Sequence, residues 1–125
     1  MSDKIFAAGP VIVENGEVLL VKAGQDNYWK FCGGKAKDLD CGDLQRTAVR
    51  EAAEEIGIEF EIIDTVPYIF EKGNYLLYHF LSKRLSKITS GDAREWKWIS
   101  LRELCKEELA ENIIPTLKHF GFLPQ

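Results

Sequence analysis

A chain of 125 residues that is 46% hydrophobic and 29% charged has the size and make-up of one soluble globular domain that buries its own core. Its net charge of −4 argues against a broad basic surface for nucleic acid, and no apolar run reaches the roughly 20 residues that span a bilayer. Cys32, Cys41 and Cys105 form no CxxC pair, and His79 and His119 are the only histidines. That pattern disfavours a disulfide framework and a zinc site, favours a reducing cytoplasm, and leaves a hard, oxygen-liking ion as the metal to consider.

The opening "MSDKIFAAGPVIV" lacks a basic region, a long apolar segment and a cleavage site, so secretion is not expected. "KIFAAGPVIV" and "EVLLVKA" read as strands joined at Asn15-Gly16, a preferred two-residue hairpin turn. "YWKF" is short, aromatic and strand-like, and runs into Gly33-Gly34, where missing side chains let backbone approach backbone or ligand. The strongest helix follows, with Asp43 as N-cap, Leu44 to Ile56 as its body and Gly57 as its C-terminal cap. "FEIIDTVPYIFE" and "YLLYHFLSKRL" are the next strands, with Pro67 marking an edge or bulge in the first. "REWKWI" reads as another strand. "SLRELCKEEL" then opens a helix with Ser100 and Glu103 as a capping box, and "ENIIPTLKHFGF" gives a last short helix with Pro115 in its first turn. No repeat or linker divides the sequence, so one α+β domain over 1–125 is expected.

The central helix is unusual on its polar side. With about 100° per residue, Thr47, Arg50, Glu51, Glu54 and Glu55 fall in one sector, and Ala48, Val49, Ala52, Ala53 and Ile56 oppose it. Glu51 repels Glu54 at i+3 and Glu55 at i+4, and the last two lie near the helix C-terminus, where the macrodipole disfavours anions. Each effect costs roughly a few tenths of a kcal/mol. An acidic run on a helix is ordinarily a solvated face. Clustered glutamates also suit Mg²⁺ or Mn²⁺, which takes carboxylates, water and substrate phosphate oxygens and turns that repulsion into attraction.

"REAAEEIGI", behind "WKFCGGK", resembles the second half of the Nudix box, Gx5Ex7REUxEExGU, in which U is a bulky aliphatic. The stretch from Gly34 to Ile58 fits if "KAKDLDCGD" holds about two extra residues. Asp40 or Asp43 then stands for the missing glutamate. "AAGPVIVENGEVLLVK" and "EWKWISLREL" are similar to the elements that open and close such domains.

The resemblance implies the Nudix α/β/α sandwich around a mixed sheet. It also implies Mg²⁺- or Mn²⁺-dependent hydrolysis of a nucleoside diphosphate linked to another moiety. Glu51, Glu54 and Glu55 match the family's metal-binding glutamates, and Arg50 the arginine that orients them. Within the box Glu54 is the first choice of general base, and Glu95, ahead of "WKW", is the candidate outside it. Gly33 and Gly34 would set loop backbone near metal or phosphate, with Lys35 beside them as a substrate-binding residue.

Tyr75 lies at the offset of a marker for dinucleoside polyphosphate hydrolases; Gly73 and Asn74 stand where a proline would suggest ADP-ribose. Other aromatics, Tyr28, Trp29 and Phe31 before the box and Trp96 and Trp98 after it, could stack on a base. Asn112 could read a purine edge or cap the last helix, and His79 reads as a satisfied core histidine. A nucleoside triphosphate or dinucleoside polyphosphate is therefore the expected substrate, without nucleic acid or membrane as partner. Dimers are common in families of this kind, so a homodimer is the assembly to look for. The competing class is a non-catalytic nucleotide-sensing module of the same fold.

Overall fold

The computed structural model describes residues 3–125; Met1 and Ser2, part of the opening stretch read above, lie outside them. β1 (Ile5–Val11) carries the chain into the core, β2 (Val13–Glu14) follows, and β3 (Glu17–Lys22) returns antiparallel to β2. The turn between β2 and β3 has positive φ at Asn15 and Gly16, 51° and 77°, the geometry for which Asn-Gly is chosen. β4 (Gly34–Lys35) pairs antiparallel with β1, and the first helix, α1, spans Leu44–Ile56. β5 (Phe60–Ile62) and β6 (Tyr68–Lys72) both pair antiparallel with the long β7 (Tyr75–Arg84). β8 (Glu95–Ser100) pairs with β3, and α2 (Ile113–His119) closes the order.

Two sheets result. One has five strands, ordered β4-β1-β7-β5 with β6 also on β7; the other is β2-β3-β8. β1 and β7 run parallel and the remaining pairs are antiparallel. Strand alternation distributes the core. Val18 and Leu20 pack with Ile113 and Leu117 of α2, whereas Leu19 and Val21 pack with Ala52 and Ile56 of α1. The helices therefore cover opposite faces, the expected α+β arrangement with an α/β/α layering. Ile56 is fully buried, so truncating it to alanine would cost roughly 2–5 kcal/mol.

Four local expectations are corrected. "KIFAAGPVIV" is not one strand: it breaks at Ile12, and β1 and β2 join different sheets. "YWKF" makes only isolated bridges, Val21 with Lys30 and Trp29 with Leu109. "FEIIDTVPYIFE" splits into β5 and β6 around Pro67, which has no N–H to donate to a ladder.

The fourth is the helix expected at "SLRELCKEEL", which is a turn with one 3-10 turn, Leu104–Lys106. Ser100 stays in β8 and its hydroxyl accepts from the Arg102 N–H at 3.3 Å. The Trp29 N–H then donates to the Glu108 carbonyl at 2.8 Å, and the Trp29 indole N–H to Glu107 at 3.2 Å. These bonds hold 107–109 extended against Trp29, and helix cannot continue through them.

Candidate active site

The helix expected from Asp43 to Gly57 has those ends. Asp43 accepts from the N–H groups of Gln45 and Arg46, and Gly57 is left-handed at φ 63°. Its buried face is turned from the simple apolar one. Val49 and Ala53 are exposed, while Thr47 and Glu55 are buried with Ala48, Ala52 and Ile56.

The cause lies in the long loop before the helix. It holds a 3-10 turn, Asp38–Asp40, followed by left-handed Cys41 and Gly42 at φ 56° and 74°. That turn drives Asp40 inward to 1% exposure. Arg50 meets it with two parallel bonds, Nε to Oδ1 and Nη2 to Oδ2, both 2.9 Å. Oδ2 also accepts from the Thr47 hydroxyl at 2.8 Å and the Lys37 N–H at 3.0 Å. A buried charge needs this degree of pairing. The Arg50 guanidinium, joined by those N–H and O–H donors, holds the Asp40 carboxyl well below the usual carboxylate range. Of the two aspartates weighed for the missing glutamate, Asp40 pairs with the arginine and Asp43 caps the helix.

Arg50 spends its remaining donors on the glutamates and the loop. Nη1 donates to Glu54 at 3.1 and 3.2 Å and to Glu51 at 3.4 Å, and Nη2 to the Lys35 carbonyl at 3.0 Å. Glu55 turns the other way and accepts the Gly33 N–H at 2.6 Å. Gly34 lies against the Glu51 carboxylate so closely that a Cβ there would overlap it. Burial raises the pKa of Glu51, with Arg50 opposing; burial likewise raises that of Glu55, with the Gly33 N–H opposing.

The helix C-terminus is served by the loop at 89–93. The N–H groups of Thr89, Asp92 and Ala93 donate to the carbonyls of Ile56, Glu54 and Glu55 at 2.8, 2.9 and 3.1 Å. Those donors satisfy the helix-end carbonyls beside Glu54 and Glu55 and so offset the local field that disfavours them. Gly91 is required there, since a Cβ would strike the Glu54 and Glu55 carbonyls.

Gly33 and Gly34 also line a cavity of about 1000 Å³. Its walls include Tyr28, Phe31, Tyr78, His79 and Asn112, with Lys30, Lys35 and Lys72 at its polar parts. The two glycines are the seam between this cavity and the carboxylates of half-buried Glu51 and buried Glu55. An aromatic-walled cleft with lysines at its edge, opening beside a carboxylate cluster, has the form of a small-molecule site for an anionic ligand.

The NUDIX domain family model matches residues 4–120. The chain belongs to the Nudix family. No curated protein matches it by sequence. Among solved structures it is similar to the Escherichia coli ORF135 protein, at 24% identity over 94% of this chain and 89% of that one, TM-score 0.71. It is similar too to a NUDIX hydrolase from Nitrosomonas europaea (20% identity, 97% and 75% covered, TM-score 0.77). A third is an ADP-ribose pyrophosphatase from Streptococcus suis (20% identity, 91% and 87% covered, TM-score 0.74). At these identities the likenesses show the fold; the family match makes the chain a Nudix hydrolase.

The Nudix glutamates suit a divalent cation by the chemistry of their donors. All three offer carboxylate oxygens, and two are withdrawn from bulk water beside glycine backbone. Among the described residues no three acidic, histidine or cysteine side chains converge as a ready cage. Mg²⁺ rarely needs one, because it keeps waters and takes substrate phosphates with one or two carboxylates.

Several expected site residues meet at the cavity: Gly33, Gly34, Lys35, Tyr75 and Asn112 all line it, and the Lys35 ammonium lies 5.7 Å from the Tyr75 ring centre. Glu95 lies apart, exposed at the start of β8 with Arg94 3.7 Å away. Among the described residues no hydrogen bond or ion pair joins it to Glu51, Glu54 or Glu55. Of the other aromatics, Tyr28 and Phe31 line the cavity. Trp29 belongs to the core on the α2 side, and Trp98 packs with the core on the α1 side under Arg84. Nothing local marks Thr47 as the hydroxyl that donates to Asp40 at 2.8 Å, since that partner comes from the loop before the helix. His79, expected as a core histidine, is buried and also faces the cleft.

Proposed function

We propose that this Nudix hydrolase cleaves the pyrophosphate linkage of a nucleoside diphosphate joined to another moiety, with a nucleoside triphosphate or dinucleoside polyphosphate as substrate. The whole of 1–125 acts as one catalytic domain, in the cytoplasm. The observation that carries this reading is the seam at Gly33-Gly34: the Glu51 and Glu55 carboxylates on one side, an aromatic cavity lined also by lysines on the other. A base fits the aromatic walls, and its phosphates then lie along the glycines beside the glutamates.

Glu51, Glu54 and Glu55 would hold Mg²⁺ or Mn²⁺, which when bound supplies charge neutralisation on the phosphates and acidifies a water. The chain's own residues do the rest. Lys35 meets phosphate charge at the cavity edge, and Tyr75 beneath it offers a ring face to a base. Glu54 would take a proton from water; its side chain, the most exposed of the three at 41%, and its 3.1 Å bond to Arg50 support that role. Glu95 remains the candidate base outside the box, at the start of β8.

The rival reading is a nucleotide sensor without catalysis, for which the departure of the loop before the helix from the Nudix pattern is the one argument. Asp40 supports the hydrolytic reading instead, because it gives Arg50 a carboxylate partner from within that loop. Incubation with ATP, normal and oxidised deoxynucleoside triphosphates, dinucleoside polyphosphates and ADP-ribose, each with Mg²⁺, Mn²⁺ or EDTA, tests the proposal. Metal-dependent release of a nucleoside monophosphate is expected from one of the first three classes. Binding without turnover across the panel would favour the sensor.

A further inference from the structure

His79, in the middle of β7, is 3% exposed yet lines the cavity, held between the rings of Phe31 and Tyr68 at 5.4 and 6.0 Å. Its Nδ1 lies 3.0 Å from the Tyr68 carbonyl oxygen. A carbonyl only accepts, so Nδ1 carries the proton. In the neutral ring Nε2 is then an acceptor, and it faces the Asn112 side-chain amide at 2.7 Å. The amide must therefore turn its NH2 toward His79. Its oxygen, which has no hydrogen-bond partner among the described residues, and its second N–H are left for the cavity that Asn112 lines. Asn112 does not cap α2 with this side chain, so the amide is free for recognition.

We propose that His79 is a positioning residue that fixes the Asn112 amide in one orientation, so that the cavity selects a purine edge presenting an N–H donor beside an acceptor. Adenine offers that pattern at N6 and N7, and asparagine matches it with its oxygen and one N–H. An edge with two acceptors leaves the Asn112 oxygen facing another oxygen, which disfavours it. The Tyr68 carbonyl fixes one ring tautomer, and that tautomer fixes one amide orientation. It rests on the nucleotide reading above and names the base that reading would take.

The test uses mononucleotides, which contain no pyrophosphate to cleave, and so reads the base site without turnover. AMP and IMP differ at C6, amino against oxo, which exchanges donor for acceptor. Titration of the isotopically labelled protein should show AMP binding about tenfold more tightly than IMP, with the Asn112 side-chain amide signal moving. Nitrogen spectra of the His79 ring should place the proton on Nδ1. His79→Leu should level the AMP and IMP affinities. His79→Gln, which can donate to Tyr68 and accept from Asn112, should restore the difference. Equal affinities in the unaltered protein, no binding of either, a proton on Nε2, or a preference that survives His79→Leu would each overturn the proposal. A protein that hydrolyses nothing yet keeps the AMP preference would count against the hydrolytic reading alone and support this one.

Discussion

Asp40 and Arg50 meet fork to fork, with both nitrogen–oxygen distances at 2.9 Å, and the same guanidinium reaches Glu54 at 3.1 Å and the Lys35 carbonyl at 3.0 Å. One side chain thus ties the loop before the helix to the acidic face of the helix and to the lip of the cavity. Asp40→Asn keeps the shape and removes the charge. Turnover should fall by about tenfold or more, since loosely held groups lose alignment. Asp43→Ala, which removes only the helix cap, should cost about 1 kcal/mol of stability and leave kcat unchanged. Steady-state kinetics and thermal melts of the two variants separate these effects; equal losses of kcat would show that Asp40 is no more than a fold determinant.

Gly34→Ala should separate function from stability in the opposite sense. The added methyl would overlap the Glu51 carboxylate, the far end of a flexible side chain, so the fold can yield cheaply. The displaced carboxylate cannot serve in its former place, and about 100-fold loss of turnover is expected for a shift of about 1 Å. A melting temperature near that of the parent, with activity lost, is the signature. Gly91→Ala should do the reverse first, because there the clash is with the helix-end carbonyls of Glu54 and Glu55, and a marked drop in melting temperature is expected.

His79 gives the fold a pH dependence of known sign. Burial is the chief cause that pushes its pKa from 6.5 down to about 4. Between those values the unfolded chain binds a proton that the folded one refuses. Stability is therefore full above about pH 6.5 and falls on acidification, by up to about 3 kcal/mol at pH 4. Glu51 and Glu55, whose pKa values are raised, act in the opposite sense as they take up protons in the folded state. Asp40, with its pKa lowered, loses its contribution only in stronger acid. Denaturant unfolding from pH 7.5 to 4.5 of the parent and of His79→Gln isolates the histidine: the parent should lose the more stability.

Much of this was legible in the sequence because local rules and the fold agree. Asp43, Gly57, Asn15-Gly16 and Pro115 stand where capping and turn chemistry put them, and each acts through its nearest neighbours. What the sequence concealed depends on contacts between distant segments. "YWKF" lost its strand, and "SLRELCKEEL" its helix, to bonds between Trp29 and residues 107–110. The buried face of α1 turned toward Thr47 and Glu55 because Asp40 and Gly33 supply their partners. His79 read as core and is core. Its second role depends on Asn112 arriving from a helix 33 positions away.

The most direct measurement is metal-dependent turnover of the best nucleotide substrate by the parent and by Glu54→Gln, followed as nucleoside monophosphate release in Mg²⁺ and in EDTA. Glu54 is exposed, and among the described residues its carboxylate bonds only Arg50, so the variant should melt within a few degrees of the parent. If the acidic helix is the catalytic centre, EDTA should abolish hydrolysis and Glu54→Gln should lower kcat by about 100-fold or more. Turnover that persists in EDTA, or a folded Glu54→Gln variant with near-normal kcat, would contradict it.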